Sequence, residues 1–598
     1  MIYPTFNDVT RYREMTSSFN GYNRKVSCAE GEFSDMKNMT SAYYPVLSPR
    51  DKRGLVKKFV NPLAILDKET LMWIDGDTLY KDGNAVELSA GVRIDISEGM
   101  LPKNMTKMGA FVVIMPDKIW YNADTGESGL LESSYVLPAD TPLTFALCDS
   151  KGDIITWHDS EYYEKNDPKE GDYMMSTSNG KSSLKQYSST TRIWATVATA
   201  YMQITATGIG KNFKKGDGVS LTIDTTGIEW ADAGNIFVND EGNGVLSTNT
   251  VITDLSDDAI TIVAILSENH VFQDITFKVE RKVPDMSFIT EYNNRIWGCS
   301  KDGHEIYCCK LGDVTNWNCF AGVSTDSYAV TIGSDGKFTG AITYAGYPIF
   351  FKEDSLIKVA VSSTGAHQTK ESMCRGVQSG SEKSLCILNE LLYYKSATCV
   401  CVYNGSVPVS ISDNLGEVRY YKAAAGTIND RYYISMCDES NEYHLFVYDS
   451  TKGLWSREDN TQATYFCKYE DDLLFIDAGD KFMKSVRGTL IYDDSTKEKD
   501  FDWNVVSGKI GYTLPDQKYI SRINLRISLE IGANVDFYLG YDSSGVWEHK
   551  FNMSGSGTRT YTVPVIPRRC DHFQYKIIGK GMAKIHSITK TIEQGSDT

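Results

Sequence analysis

RYYISMCDESNEYHLFVYDSTKGLW (Arg431–Trp455) is an apolar strand, a tight polar turn and a second strand that closes on aromatic residues. Six further phrases of the same kind occur along the chain. They are LMWIDGDTLYKDGN from Leu71, FVVIMPDKIWYNADTG from Phe111, RIWGCSKDGHEIYCCKLGD from Arg295, PIFFKEDSLIKVAV from Pro348, LLYYKSATCVCVYNGS from Leu391 and LLFIDAGDKFMKSV from Leu473. In chain order their starts are separated by 40, 184, 53, 43, 40 and 42 residues. One four-stranded propeller blade occupies about 40–50 residues, so a hairpin repeat of this period predicts blades. The single long interval is one period plus about 144 residues, which predicts a domain inserted into the propeller.

The 598-residue length exceeds what one core supports and implies several domains. With 36 Tyr, 23 Phe and 10 Trp but no long stretch of 3.6-residue periodicity, the class is all-β. Formal net charge is −17 and no run of five basic residues occurs. That excludes a protein that grips nucleic acid through neutralised phosphates; it leaves open a surface past which DNA slides. The opening residues lack a basic start and an apolar core, so no secretory signal is expected. No apolar run is long enough to span a bilayer. The Cys count is odd, at thirteen, and most lie in strand phrases, which predicts reduced thiols acting as small hydrophobes.

Read along the chain, residues 1–54 form an irregular, polar arm expected to dock on a partner. Residues 55–128 hold the first propeller part and 129–287 an inserted β-barrel or sandwich. Within the insert, the polar tract Glu164–Arg192 reads as a long mobile loop. Residues 288–490 hold the second propeller part, giving six to eight blades in all. The charged linker DDSTKEKD (Asp493–Asp500) leads into a C-terminal β-sandwich, residues 491–598. There Ile523, Leu525, Ile527 and Leu529 alternate with Arg522, Asn524, Arg526 and Ser528.

Catalytic and metal signatures are sparse. The eight His are scattered singly, no H-E-x-x-H or G-x-S-x-G is present, and no metal, cofactor or catalytic set is expected. Cys570-Asp571-His572 is a local cluster in a strand-rich segment, and a structural role is expected for it. YDSSGVW (Tyr541–Trp547) and VYDSTKGLW (Val447–Trp455) resemble sialidase Asp boxes with the Asp–Gly spacing too long. Such boxes are structural, and sialidase chemistry needs more than a turn. The chain is therefore expected not to be an enzyme.

The arm has a recognisable form: Gly-Tyr-Asn at Gly21–Asn23, then EFSDMKNM from Glu32, then YPVLSPR from Tyr44. Together with PRRCDHFQYKIIGKGMAKIHSITKTIEQGS (Pro567–Ser596), it resembles the propeller-containing tail hub or nozzle proteins of short-tailed bacteriophages and prophages. The resemblance covers both ends and the blades but hardly the insert. It implies a virion tail component assembled in the bacterial cytoplasm. It also implies a cyclic homo-oligomer, a hexamer in that family, set between an adaptor or portal-side ring and tail fibres, through which duplex DNA passes without tight binding. Phe33, Met36, Asn38, Tyr44, Arg50 and Arg53 are the arm residues expected to meet a neighbouring ring. A receptor-binding tail protein that holds a host surface glycan is the second reading, and a propeller enzyme acting on polysaccharide the third.

Overall fold

The computed structural model describes residues 11–66, 70–178, 181–226, 228–238, 244–361, 366–488, 496–512 and 517–594. Residues 493–495 of the charged linker lie outside them. The chain divides into two compact units. Unit 1 comprises Met1–Val86, Thr339–Lys358 and Lys370–Thr598; unit 2 comprises Glu87–Phe338 and Val359–Thr369. Among the described residues the only helices are Ser160–Lys165, Ala233–Ile236 and three short 3-10 turns. None is long and apolar enough to cross a membrane.

Each of the seven sequence phrases is the central hairpin of an antiparallel sheet, four-stranded in six cases and five-stranded in the seventh, where Thr496–Lys497 pairs on the outside. Blade 1 is Pro62–Leu66, Met72–Asp75, Thr78–Lys81 and Asn84–Ala85, paired in that order. Blade 2 starts at Asn104, blade 3 at Met286, blade 4 at Gly340, blade 5 at Cys386 and blade 6 at Tyr420, with the same consecutive order. The second strands are buried almost throughout, as in Ile296–Ser300 of blade 3 and Asp472–Asp477 of blade 7. A strand covered on both faces needs an unbroken apolar run rather than alternation, and that run made the phrases visible.

Blade 7 differs from the others. Ala463–Tyr469, Asp472–Asp477 and Phe482–Ser485 supply three strands, and Gly54–Lys58, from before blade 1, supplies the fourth. Phe482 pairs with Lys58 and Ser485 with Gly54, so the first propeller strand is tied to the last. The fold is thus an all-β propeller with an inserted β domain and a C-terminal β-sandwich.

Within unit 2, the inserted strands run from Ser133–Val136 to Phe277–Arg281 around a core of Phe145, Trp230, Phe272 and Phe277. Phe145 stacks on Trp230 with centroids 5.2 Å apart. Val245–Ser256 bends at a bulge between Ile252 and Asp254. Its first half pairs with Gly218–Asp224 and its second with Ala259–Val263.

The tract Glu164–Arg192 is not a loop. Tyr173–Ser178 and Lys181–Ser188 form a hairpin, extended by Ile193–Thr196. Met175 and Leu184 are buried, and Tyr163 and Tyr187 pack on Trp194 at 4.8 and 5.2 Å. A few apolar anchors were enough to organise a segment whose composition is otherwise that of a linker.

The C-terminal sandwich has two facing sheets. Lys518–Leu529 turns Ile523, Leu525, Ile527 and Leu529 inward, against Val535, Phe537 and Leu539 of Asn534–Tyr541 in the same core. This is the period-2 pattern expected of a strand half-covered by a second sheet.

Candidate docking arm

The arm is where the structure departs most from the sequence expectation. Arg11–Thr16 pairs antiparallel with Ala583–Gln594, and Phe33–Lys37 pairs with Asp502–Ser507. The arm therefore gives one strand to each sheet of the C-terminal sandwich, satisfying edges that would otherwise be open. Phe33 is fully buried and Met36, Met39 and Leu47 nearly so, in one core with Trp503 and Val505. These residues anchor the arm to its own chain, which corrects the expectation that Phe33 and Met36 reach a neighbouring ring.

The Gly-Tyr-Asn motif has a steric cause. Tyr22 donates its N–H to Trp455 O at 2.7 Å, and its ring lies 5.8 Å from that of Phe446 in blade 6. Gly21 has φ +80, and a Cβ there would stand 2.2 Å from Trp455 O. Only glycine permits this approach.

Asn38 is a junction rather than a docking residue. It has φ 58; its Nδ2 donates to Asp502 O at 2.8 Å, and its backbone N–H donates to Glu458 O. Its Oδ1 accepts from Arg50 Nε at 3.0 Å. One residue thus joins the arm, the segment after blade 6 and the first strand of the sandwich.

Arg50 and Arg53, expected to meet a partner's acids, meet acids of this chain and are almost wholly buried. Arg50 grips Glu498 with two bonds, 2.7 and 3.0 Å, and lies 4.0 Å over the Phe501 ring. Arg53 Nη2 is 2.5 Å from Glu458 Oε2, and its Nη1 is 2.8 Å from Asp459 Oδ2 and 3.2 Å from Thr461 Oγ1. Arg457 of blade 6 adds a bond to Asp35 at 3.2 Å. Tyr44 alone of the six remains exposed, at 38%, with its hydroxyl accepting from Ser18 at 3.0 Å. Nothing in the sequence paired Arg50 and Arg53 with Glu458, Asp459 and Glu498, because the partners lie more than 400 residues away.

Burial alone would raise the Asp459 carboxyl, but the Arg53 and Arg50 charges outweigh it and hold the group well below the ordinary carboxylate range. Glu498 is lowered in the same way, by Arg50 against its own burial. Both folded-state values are depressed. The stability they contribute is therefore full above the unfolded values of about 4 and is lost as pH falls through the folded ones. Acidification from about pH 4 down through those depressed values should progressively loosen and then release the arm from the blades. Trypsin cleavage after Arg50 and Arg53, both buried in the folded chain, scanned by acid pulse and neutral quench, checks this; sites still protected at about pH 2 would count against it.

A smaller cluster lies at the turn after Arg431–Asp438. There Asp438, Glu442 and His444 stand close enough to share an ion, and His444 Nε2 lies 2.8 Å from Asp438 Oδ2. All thirteen cysteines are free thiols. Trp503 and Tyr541 are buried in the sandwich and are not available to a ligand from solvent.

No family model matches this chain, and no curated protein matches it. Solved structures with local similarity include an exo-β-1,3-galactanase from Phanerochaete chrysosporium, at 9% identity and a TM-score of 0.21, covering 50% of this chain and 94% of that one. Hsv2p of Kluyveromyces lactis aligns at 14% identity and 0.23, covering 49% and 94%. BamB of Moraxella catarrhalis aligns at 8% and 0.17, covering 34% and 83%. Similarity at this level carries no argument about function.

Proposed function

We propose that this chain is a structural ring component of a short-tailed bacteriophage tail, of the hub or nozzle kind, assembled as a cyclic homo-oligomer through which DNA leaves the particle. The observation that carries the reading is the arm. Three residues of the pattern that resembles that family, Gly21, Asn38 and Arg50, help to lock propeller and sandwich of unit 1 together. The resemblance therefore falls on residues that define an architecture rather than on surface positions.

Charge supports the same reading. At −17 per copy, a six-membered ring carries about a hundred negative charges, and like charge keeps duplex DNA from adhering within a Debye length of about 8 Å. A closed ring repeats one heterologous interface around its axis, and each contact should bury roughly 1,000 Å² or more. The expected outcome is a cyclic assembly, six copies by native mass spectrometry, with negligible DNA affinity at physiological salt. A monomer, or tight binding that falls steeply with salt, would overturn the conduit. A monomer that retains glycans on an array would favour the receptor-binding reading instead.

A further inference from the structure

Two sequence features with no part in the reading above, the turn YDSSGVW and the segment Cys570–His572, meet in the C-terminal sandwich. Asn534–Tyr541 pairs antiparallel with Phe573–Lys580, and Tyr541 stands opposite Phe573. In that register the residues following Tyr541 lie beside those preceding Phe573. Asp542 fixes the junction. Its N–H donates to His572 O at 3.0 Å, and its Oδ1 accepts from the N–H of Asp571 at 2.7 Å and of His572 at 3.4 Å. The neighbouring side chains then form a line. Ser543 Oγ is 2.7 Å from His572 Nε2, and His572 Nδ1 is 2.8 Å from Asp571 Oδ2.

We propose that Ser543, His572 and Asp571 form a nucleophilic triad that hydrolyses small carboxylic esters presented to the outer surface of the sandwich. A serine hydroxyl attacks carbonyl carbon only if a base accepts its proton, and imidazole serves when its other nitrogen is held by a carboxylate. With Nδ1–H donating to Asp571, the Nε2 lone pair faces the Ser543 hydroxyl. The base is fixed in place: His572 is 7% exposed, and the Tyr512 ring stands edge-on to it at 5.5 Å. The Asp571 carboxyl lies below its ordinary range, chiefly through its bond to His572, so it is an anion at neutral pH. Ser543 is exposed at the tip of the turn. Asp542 and Ser543 have φ of 54° and 52°, a conformation L residues rarely adopt and one that turns presenting nucleophiles often hold. The absence of G-x-S-x-G does not bear on this site, since such triads are recognised by geometry rather than by sequence position.

Ser543 Oγ bonds to the ester carbonyl carbon as its proton passes to Nε2. The tetrahedral adduct collapses, the bond to the alcohol oxygen breaks, and the alcohol leaves with the proton from the imidazolium. Water then attacks the acyl-serine by the same route, releasing the acid and restoring Ser543. Only water is consumed, and no redox partner is needed. Ser544, Gly545 and Val546 are exposed beside the nucleophile. This open turn does not enclose a long acyl chain. With no pocket to hold an acyl chain, recognition falls to the alcohol side, and the substrate class assigned is a short acyl group such as acetyl on a larger alcohol such as a sugar hydroxyl that approaches from solvent.

The test treats the full chain with a fluorophosphonate probe, maps the label by peptide mass spectrometry, and measures hydrolysis of p-nitrophenyl acetate and butyrate. Ser543 should carry the label, and acetate should be preferred. Because Ser543 is exposed, S543A should fold, as circular dichroism would show. It should also lose roughly a hundredfold or more of the acetate rate. D571N, at a positioning residue, should lower kcat while leaving KM unchanged. Label elsewhere or nowhere, or hydrolysis unchanged in S543A, overturns the triad; preference for butyrate overturns the substrate class.

Discussion

Removal of residues 1–54 should leave the C-terminal sandwich unfolded and the protein insoluble. The arm supplies the strand Arg11–Thr16 to one sheet and Phe33–Lys37 to the other. It also buries Phe33, Met36, Met39 and Leu47 in the common core. Full burial of such a side chain is worth about 1.5–3 kcal/mol, so the four contribute roughly 6–12 kcal/mol. That equals the whole net stability of a typical domain. Lost backbone pairing along both sheets adds to the deficit, and the bared edges would invite aggregation. The arm, whose irregular sequence suggested a segment that docks on a partner, is thus part of its own chain's core. For the same reason residues 497–598 expressed alone should be insoluble, and supplying the arm by fusion ahead of residue 497 should rescue them. Soluble expression, followed by limited proteolysis, reads both results. A truncated chain that stays monodisperse with a protease-resistant sandwich would refute the argument.

The blades were legible because each central strand is covered on both faces and so spells a continuous apolar word, as in FVVIM at Phe111–Met115. The sandwich was legible through the alternation from Ile523 to Leu529. What stayed hidden were pairings between distant segments. Phe33–Lys37 carries too few apolar residues to announce a strand, and its partner lies over 460 residues away. The insert's hairpin at Tyr173–Ser188 was hidden for a related reason: its order rests on Met175, Leu184 and Trp194 within a polar stretch. At the surface site, Asp571 and His572 were visible as neighbours. Ser543 became their partner only through the register of two strands.

Replacing Arg53 with alanine should be the most damaging single substitution in the arm. Its guanidinium is 2% exposed and bonds Glu458 and Asp459, whose side chains are 4% and 18% exposed. Without it, two carboxylates remain beside each other with only Arg50 near, at 3.7 Å from Glu458 and 3.5 Å from Asp459, and Arg50 already holds Glu498. Removing one member of a buried ion pair costs about 3–5 kcal/mol, because the other charge stays desolvated. At roughly 2–4 °C per kcal/mol, the unfolding transition that includes the sandwich should fall by about 10 °C. Lysine keeps the charge but not the two-pronged geometry, so R53K should recover only part of the loss. The decisive comparison adds E458Q to R53A. If an uncompensated buried charge is the cause, neutralising Glu458 should restore stability relative to R53A alone. If the loss came only from missing side-chain volume, E458Q would bring no recovery, and the electrostatic account of how the arm is held would fail.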